Sequence, residues 1–178
     1  MAHEDNRAKR FREAKKALQS GVKGNKKAVI DAYKRFADLR ETDPHNPVLE
    51  AYYGSTLALM GRDAAHPLEK ADKAQQGLDI LDRAVSMDPN HSEIRMIRAT
   101  VGLRLPESYF HRSKTAIEDF SFLLANHQSN PRLLSDKQVI QALHGLGTAY
   151  QNAGKPKAAK EVWKRLAELD PQYKHLAK

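Results

Sequence analysis

Eight histidines, His3, His45, His66, His91, His111, His127, His144 and His175, are the first candidates for metal or proton chemistry in this chain. No two stand four residues apart, so the paired helical histidines of a zinc hydrolase are absent. Most lie beside Pro or Asn and read as solvated loop positions. His144 differs. It falls mid-helix, offset from the face of Leu143, Leu146 and Gly147, and no carboxylate or second His is spaced to orient it as a base. It is predicted to line a groove rather than to bind a ligand or move a proton. The loops Asp43-Pro-His-Asn and Asp88-Pro-Asn-His are rich in oxygen but lack the ligand number and closing Glu of a calcium loop. Gly145-x-Gly147 sits inside helical periodicity, where the amides are already bonded and cannot cradle a phosphate. The chain has no cysteine, hence no disulfide and no thiolate nucleophile. No stretch resembles a nucleophile elbow. A non-enzyme is expected, with no metal and no cofactor.

Tyr52, Tyr53, Tyr109, Tyr150 and Trp163 could stack on bases. Tyr53, Tyr150 and Trp163 fall where a helix needs core, which leaves Tyr52, Tyr109 and Phe110 as candidates. Cations are densest at Lys9, Arg10, Arg12, Lys15, Lys16, Lys23, Lys26 and Lys27. The net charge of +8 over 178 residues is uneven. Residues 1–40 hold 12 Lys/Arg against 5 Asp/Glu, residues 41–149 hold 11 against 14, and residues 150–178 hold 7 against 3. This balance permits a nucleic acid or an acidic partner without requiring either.

The elements that would carry these residues are helical. Alternating strand-like runs are missing, and the apolar residues recur at three and four. No apolar run approaches the length of a membrane span. The first thirty residues lack a secretory apolar core, so a cytoplasmic location is the default. Ala8, Phe11, Ala14 and Leu18 make one stripe on a helix over Asp5–Ser20, and Gly21–Asn25 breaks it. Lys26–Thr42 carries Ala32-x-x-x-Phe36-x-x-Leu39 and stops at Asp43-Pro44. Asn46-Pro47 is a cap followed by a proline at the first helical position. Tyr53-Gly54-x-x-Leu57 and Gly61 follow, then Gly77-x-x-x-Leu81-x-x-Ala84 and the stop Asp88-Pro89. Between them lies a surplus at Arg62–Lys70, where Pro67 should open the second helix early.

Asn90 with Glu93 resembles a capping pair for the next helix, which carries Ile94, Ile97, Val101 and Leu105. After a short insertion at 107–113 comes Ala116-x-x-x-Phe120-x-x-Leu123, and Ser135 with Gln138 forms a capping box. The last pair is the clearest: Leu143-x-x-Leu146-Gly147-x-x-Tyr150, Gly154, Ala159-x-x-x-Trp163-x-x-Leu166, then Asp170-Pro171. A glycine inside a helix costs about 1 kcal/mol against Ala, so Gly147 and Gly54 predict a neighbouring helix at close range. Tyr173–Leu176 should form a short terminal helix.

Leu-Gly-x-x-Tyr followed by Ala-x-x-x-aromatic and Pro resembles the tetratricopeptide repeat. The resemblance runs from about Lys26 to Tyr173. It is strongest in the last pair and looser around Gly102, where the family prefers a large aromatic. It implies an all-α fold: a right-handed solenoid of about four antiparallel helix pairs, the first degenerate, in a single domain over 1–178. Residues 1–25 would be a basic capping helix, 26–173 the repeats and 174–178 a tail.

Such a fold implies a non-catalytic scaffold that binds a peptide or helix of a protein partner in its concave groove. Projected onto this chain, the groove lining is Val48, Ala51, Tyr52, Ser55, Met96, Thr100, Arg104, His144, Thr148, Gln151 and Asn152. Ala51 and Ser55 stand where family members that clamp a chaperone's C-terminal carboxylate carry Lys and Asn, so that activity is not expected. Two alternatives stand beside this reading. One is nucleic-acid or acidic-partner binding through the basic patch of Lys15, Lys16, Lys26 and Lys27. The other is homo-oligomerisation through the solenoid end or the 62–76 insertion.

Overall fold

Short turns set the pairing of the helices. In the computed structural model, which describes residues 2–178 with side chains from residue 6 onward, α1 (Ala2–Val22) and α2 (Lys26–Thr42) are joined by three residues. The same holds for α3 (Pro47–Asp63) with α4 (Pro67–Met87), and for α8 (Asp136–Asn152) with α9 (Pro156–Leu169). Connections this short leave consecutive helices antiparallel and adjacent. α5 (Ser92–Arg104), a four-residue α6 (Glu107–Phe110) and α7 (Ser113–Ser129) lie between, and a 3-10 turn at Pro171–His175 follows α9. No strand occurs among the described residues. The chain divides into two compact units, Met1–Ile97 and Arg98–Lys178, with the division inside α5.

The predicted punctuation is present. Asn46 accepts from the amides of Val48 and Leu49 at 3.0 and 3.2 Å, with Pro47 opening α3. Such a cap is worth about 1 kcal/mol. Ser135 and Gln138 exchange both capping-box hydrogen bonds. Asp43, Asp88 and Asp170, each followed by proline, end α2, α4 and α9. Pro67 lengthens α4 to 21 residues against the 17 of α3. Gly154 turns the chain between α8 and α9 at φ +71°, in the left-handed region that favours glycine.

In the first unit α1 packs on α2, α2 on α3 and α3 on α4, with α1 also reaching α3. Its core gathers Ala14, Leu18, Val29, Ala32, Phe36, Leu39, Leu49 and Tyr52. Fully burying an aromatic or branched aliphatic side chain here contributes roughly 1.5–3 kcal/mol. α3 and α4 meet through main chain. A methyl group at Gly54 would lie 2.8 Å from the Gly77 carbonyl oxygen, and one at Gly77 would lie 2.6 Å from that of Gly54. The crossing therefore excludes side chains.

Beside it, the buried Glu50 carboxylate accepts from Arg40 Nε at 2.5 Å and from Arg83. The Arg40 guanidinium sits 4.1 Å above the Tyr53 ring. The Tyr53 hydroxyl donates to Tyr33 at 3.2 Å, and burial first, then this bond, pushes its pKa up to about 12.

In the second unit α7 packs on α8, α8 on α9, and α9 on the terminal turn. A methyl group at Gly147 would overlap the Trp163 indole, so the glycine admits the ring. Asp119, fully buried, accepts from both Nε and Nη2 of Arg98 at 2.8 Å, a bidentate geometry.

One local reading of the sequence is corrected. Glu93 does not serve as a cap: its carboxylate accepts from Tyr52 Oη and from Lys15 Nζ, the latter at 3.1 Å. Within the 107–113 insertion Glu107–Phe110 form α6, ended by His111 in the left-handed region at φ 51°, with Glu107 accepting from the Ser113 amide at 2.9 Å.

Candidate functional site

The cleft that collects the most groove candidates lies wholly within residues 98–178. Thr100, Leu103 and Arg104 come from the C-terminal half of α5, and Lys137, Ile140, Gln141, His144 and Gly145 from α8. Phe120 of α7 and Tyr173 of the terminal turn complete a hollow of about 480 Å³. Each side chain is where it is for a local reason. The capping box at Ser135 sets the start of α8, which places Lys137, Gln141 and His144 at successive turns of one exposed face. Gly145, on the next face, would bring a methyl group to 2.5 Å from the Phe120 ring. Its lack of a side chain lets Phe120 lie beneath the cleft, buried against α8. Gln141 Nε2 donates to Thr100 Oγ1 at 3.1 Å and ties α8 to α5 across the opening. The Tyr173 ring stands 5.6 Å from that of His144 at a tilt of 55° and closes one end.

The cleft is apolar within and cationic at the rim. Of its lining, Leu103 and Ile140 are half-buried, Phe120 is buried, Arg104 and Lys137 are exposed, and no carboxylate lines the hollow. It can take an apolar side chain and a neighbouring negative charge. Among the described residues no cluster of three or more His, Asp or Glu side chains is arranged to hold a metal ion.

Of the projected groove residues, the structure brings Thr100, Arg104 and His144 together here. Thr148 is half-buried on the same helix and donates to the His144 carbonyl at 3.0 Å, with Gln151 and Asn152 exposed beyond it. Val48 lines a separate hollow of about 450 Å³ in the first unit, among Ala8, Phe11 and Leu39, beside the Arg7–Asp43 ion pair. Ala51, Tyr52, Ser55 and Met96 are buried and offer almost no surface. For Tyr52 the reason is α1: its ring stacks on Phe36 at 5.2 Å and meets Phe11 edge-on at 5.4 Å. It is therefore core, not a stacking platform. Tyr109, 65% exposed, does stand open, paired edge-to-face with Phe110. Lys137, Ile140, Phe120 and Tyr173 were not foreseen as lining. Ile140 and Lys137 carry the same i, i+3, i+4 signal as His144, whereas Tyr173 reaches the site only because the terminal turn folds back.

The basic patch is also redrawn. Lys15 is half-buried, lies over the Phe11 and Tyr52 rings at 5.5 and 5.1 Å, and binds Glu93. Burial would raise the Glu93 pKa, but the Tyr52 hydroxyl and the Lys15 ammonium outweigh it and hold the carboxyl below its usual range. Lys16, Lys26 and Lys27 are exposed.

Solved structures of MamA are similar to this chain in fold. A MamA fragment from Desulfovibrio magneticus RS-1, residue 41 to the end, matches with a TM-score of 0.61 over 92% of this chain and 81% of that one, at 18% identity. A MamA RS-1 double mutant gives 0.60 over the same shares, also at 18% identity. A further MamA crystal structure gives 0.57 over 87% and 76%, at 16% identity. The fold is that of the tetratricopeptide-like helical solenoids. No protein-family model and no curated protein matches the sequence. No described helix is long and apolar enough to cross a membrane.

Proposed function

We propose that this chain is a non-catalytic scaffold and that the cleft within residues 98–178 binds an extended or helical segment of a protein partner. The observation that supports it is the pairing of an apolar interior (Leu103, Ile140, Phe120) with a rim of Arg104 and Lys137 on the exposed faces of α5 and α8. A hollow of about 480 Å³ has room for an anchor side chain and its neighbours. The partner segment carries an aliphatic or aromatic anchor next to Asp or Glu. Rigid helices hold the lining in place, so little ordering cost falls on the protein side.

Peptides selected from a random display library on the full chain test this reading. Enrichment of an apolar residue flanked by acidic ones is expected, with binding lost in Ile140→Asp and weakened about tenfold in Lys137→Glu. Tenfold corresponds to about 1.4 kcal/mol. Selected peptides that bind Ile140→Asp as well as the unaltered chain would place recognition elsewhere.

A further inference from the structure

The outward face of α1 carries a row of cations with which no carboxylate among the described residues pairs. Lys9, Arg12 and Lys16 follow one another at i, i+3 and i+7, all exposed. They stand opposite the buried stripe of Ala14 and Leu18. Lys23 lies just past the helix end, and its amide still donates to the Gln19 carbonyl at 3.4 Å, so it continues the same line. At a rise of 1.5 Å per residue the row is about 21 Å long. Lys26 and Lys27 stand exposed at the start of α2, just beyond it.

The nearby carboxylates among the described residues are already taken. Glu13 and Asp31 both accept from Arg35, at 2.9 and 2.8 Å. Asp43 is paired with Arg7, and Glu93 with Lys15. None of those cations belongs to the row. Among the described residues, no carboxylate bridges to Lys9, Arg12, Lys16, Lys23, Lys26 or Lys27.

We propose that this face binds the phosphate backbone of a nucleic acid without reading its sequence. A straight series of positive charges on a convex helix matches a polymer with evenly repeated negative ones. It offers no base-reading pocket, so discrimination between sequences is not expected. A lipid surface fits less well: the row holds no apolar side chain to insert below the headgroups. The site is distinct from the peptide cleft, and the two stand or fall separately.

The test is equilibrium binding of the full chain to a mixed-sequence DNA duplex and to single-stranded RNA, followed across salt. With four cations engaged, log affinity for the duplex should fall with log salt at a slope of about −3.6. Affinity then drops roughly a hundredfold between about 50 and 200 mM. The triple variant Lys9→Glu, Arg12→Glu, Lys16→Glu should abolish binding. A control with the same charge change on the second unit, Lys114→Glu, Lys157→Glu, Lys160→Glu, should bind nearly as well as the unaltered chain. Should the triple Glu variant fail to show native helical circular dichroism, the corresponding triple Gln variant is read instead, and its slope should fall by about three contacts' worth. Equal losses in the row and control variants would show a response to net charge alone and overturn the proposal. So would absence of binding at low salt, or binding confined to vesicles of anionic lipid.

Discussion

Replacing Gly54 by Ala should destabilise this protein, although alanine is the better helix former. The intrinsic preference favours Ala by about 1 kcal/mol. Against it stands the crossing with α4: the new methyl group would lie 2.8 Å from the Gly77 carbonyl oxygen, 3.1 Å from Ile80 Cγ2 and 3.2 Å from Leu81 Cγ. The first obstacle is main chain and cannot turn away by changing rotamer. The helices must part by several tenths of an ångström, and contacts along the interface weaken together. Overpacking of this kind costs up to about 3 kcal/mol, which leaves a net loss of about 2. For a chain of this size that lowers Tm by about 4–8 °C in a thermal circular-dichroism melt.

The partner position supplies a second reading. Gly77→Ala forces the same separation, because its methyl group would meet the Gly54 carbonyl oxygen at 2.6 Å and the Ala58 amide at 2.9 Å. Once one substitution has moved the helices, the other adds little. The double variant should therefore cost clearly less than the two single losses together. A Gly54→Ala protein that melts at or above the unaltered one, or strict additivity of the pair, would refute the close-approach account.

Gly147→Ala should lose roughly 1–3 kcal/mol by displacing the indole of Trp163. Trp163 is the single tryptophan, so a shift of its fluorescence emission reports the displacement, and Trp163→Leu in the same chain should restore part of the lost stability. Glu93 makes stability depend on pH. Its carboxyl titrates lower in the folded chain than in the unfolded one, because Tyr52 and Lys15 hold the anion against the effect of burial. The contribution is complete above the ordinary Glu value of about 4.3 and disappears as pH falls through the lower folded value. Glu93→Gln should be less stable at neutral pH, and its denaturation midpoint should vary less with pH across that acid window.

Local signals carried most of the fold. Gly54 and Gly147 revealed the close crossings, and Asp43, Asp88 and Asp170 before proline revealed the stops, because each effect acts within a few residues. Contacts that close long loops left no such trace. Lys15 reaches Glu93 across 78 positions, and Tyr52 reaches it across 41. Periodicity therefore counted Lys15 as solvated, Tyr52 as available and Glu93 as a cap. His111 adopts a left-handed backbone with no glycine or asparagine to announce it. In the cleft, Thr100, Arg104 and His144 came from projecting the repeat onto the chain. Phe120 was read only as core, since its place beneath the opening depends on Gly145 across the helix interface. Tyr173 depends on how the last turn folds over α8, which no spacing encodes.

Where Gly54 of α3 crosses Gly77 of α4, main chain lies against main chain where most helix pairs interpose side chains. At those two positions no side chain can turn aside or act as a cushion when the surroundings shift. The two rods behave as one strut, and whatever the outer faces of this unit come to carry can be redecorated without disturbing the frame.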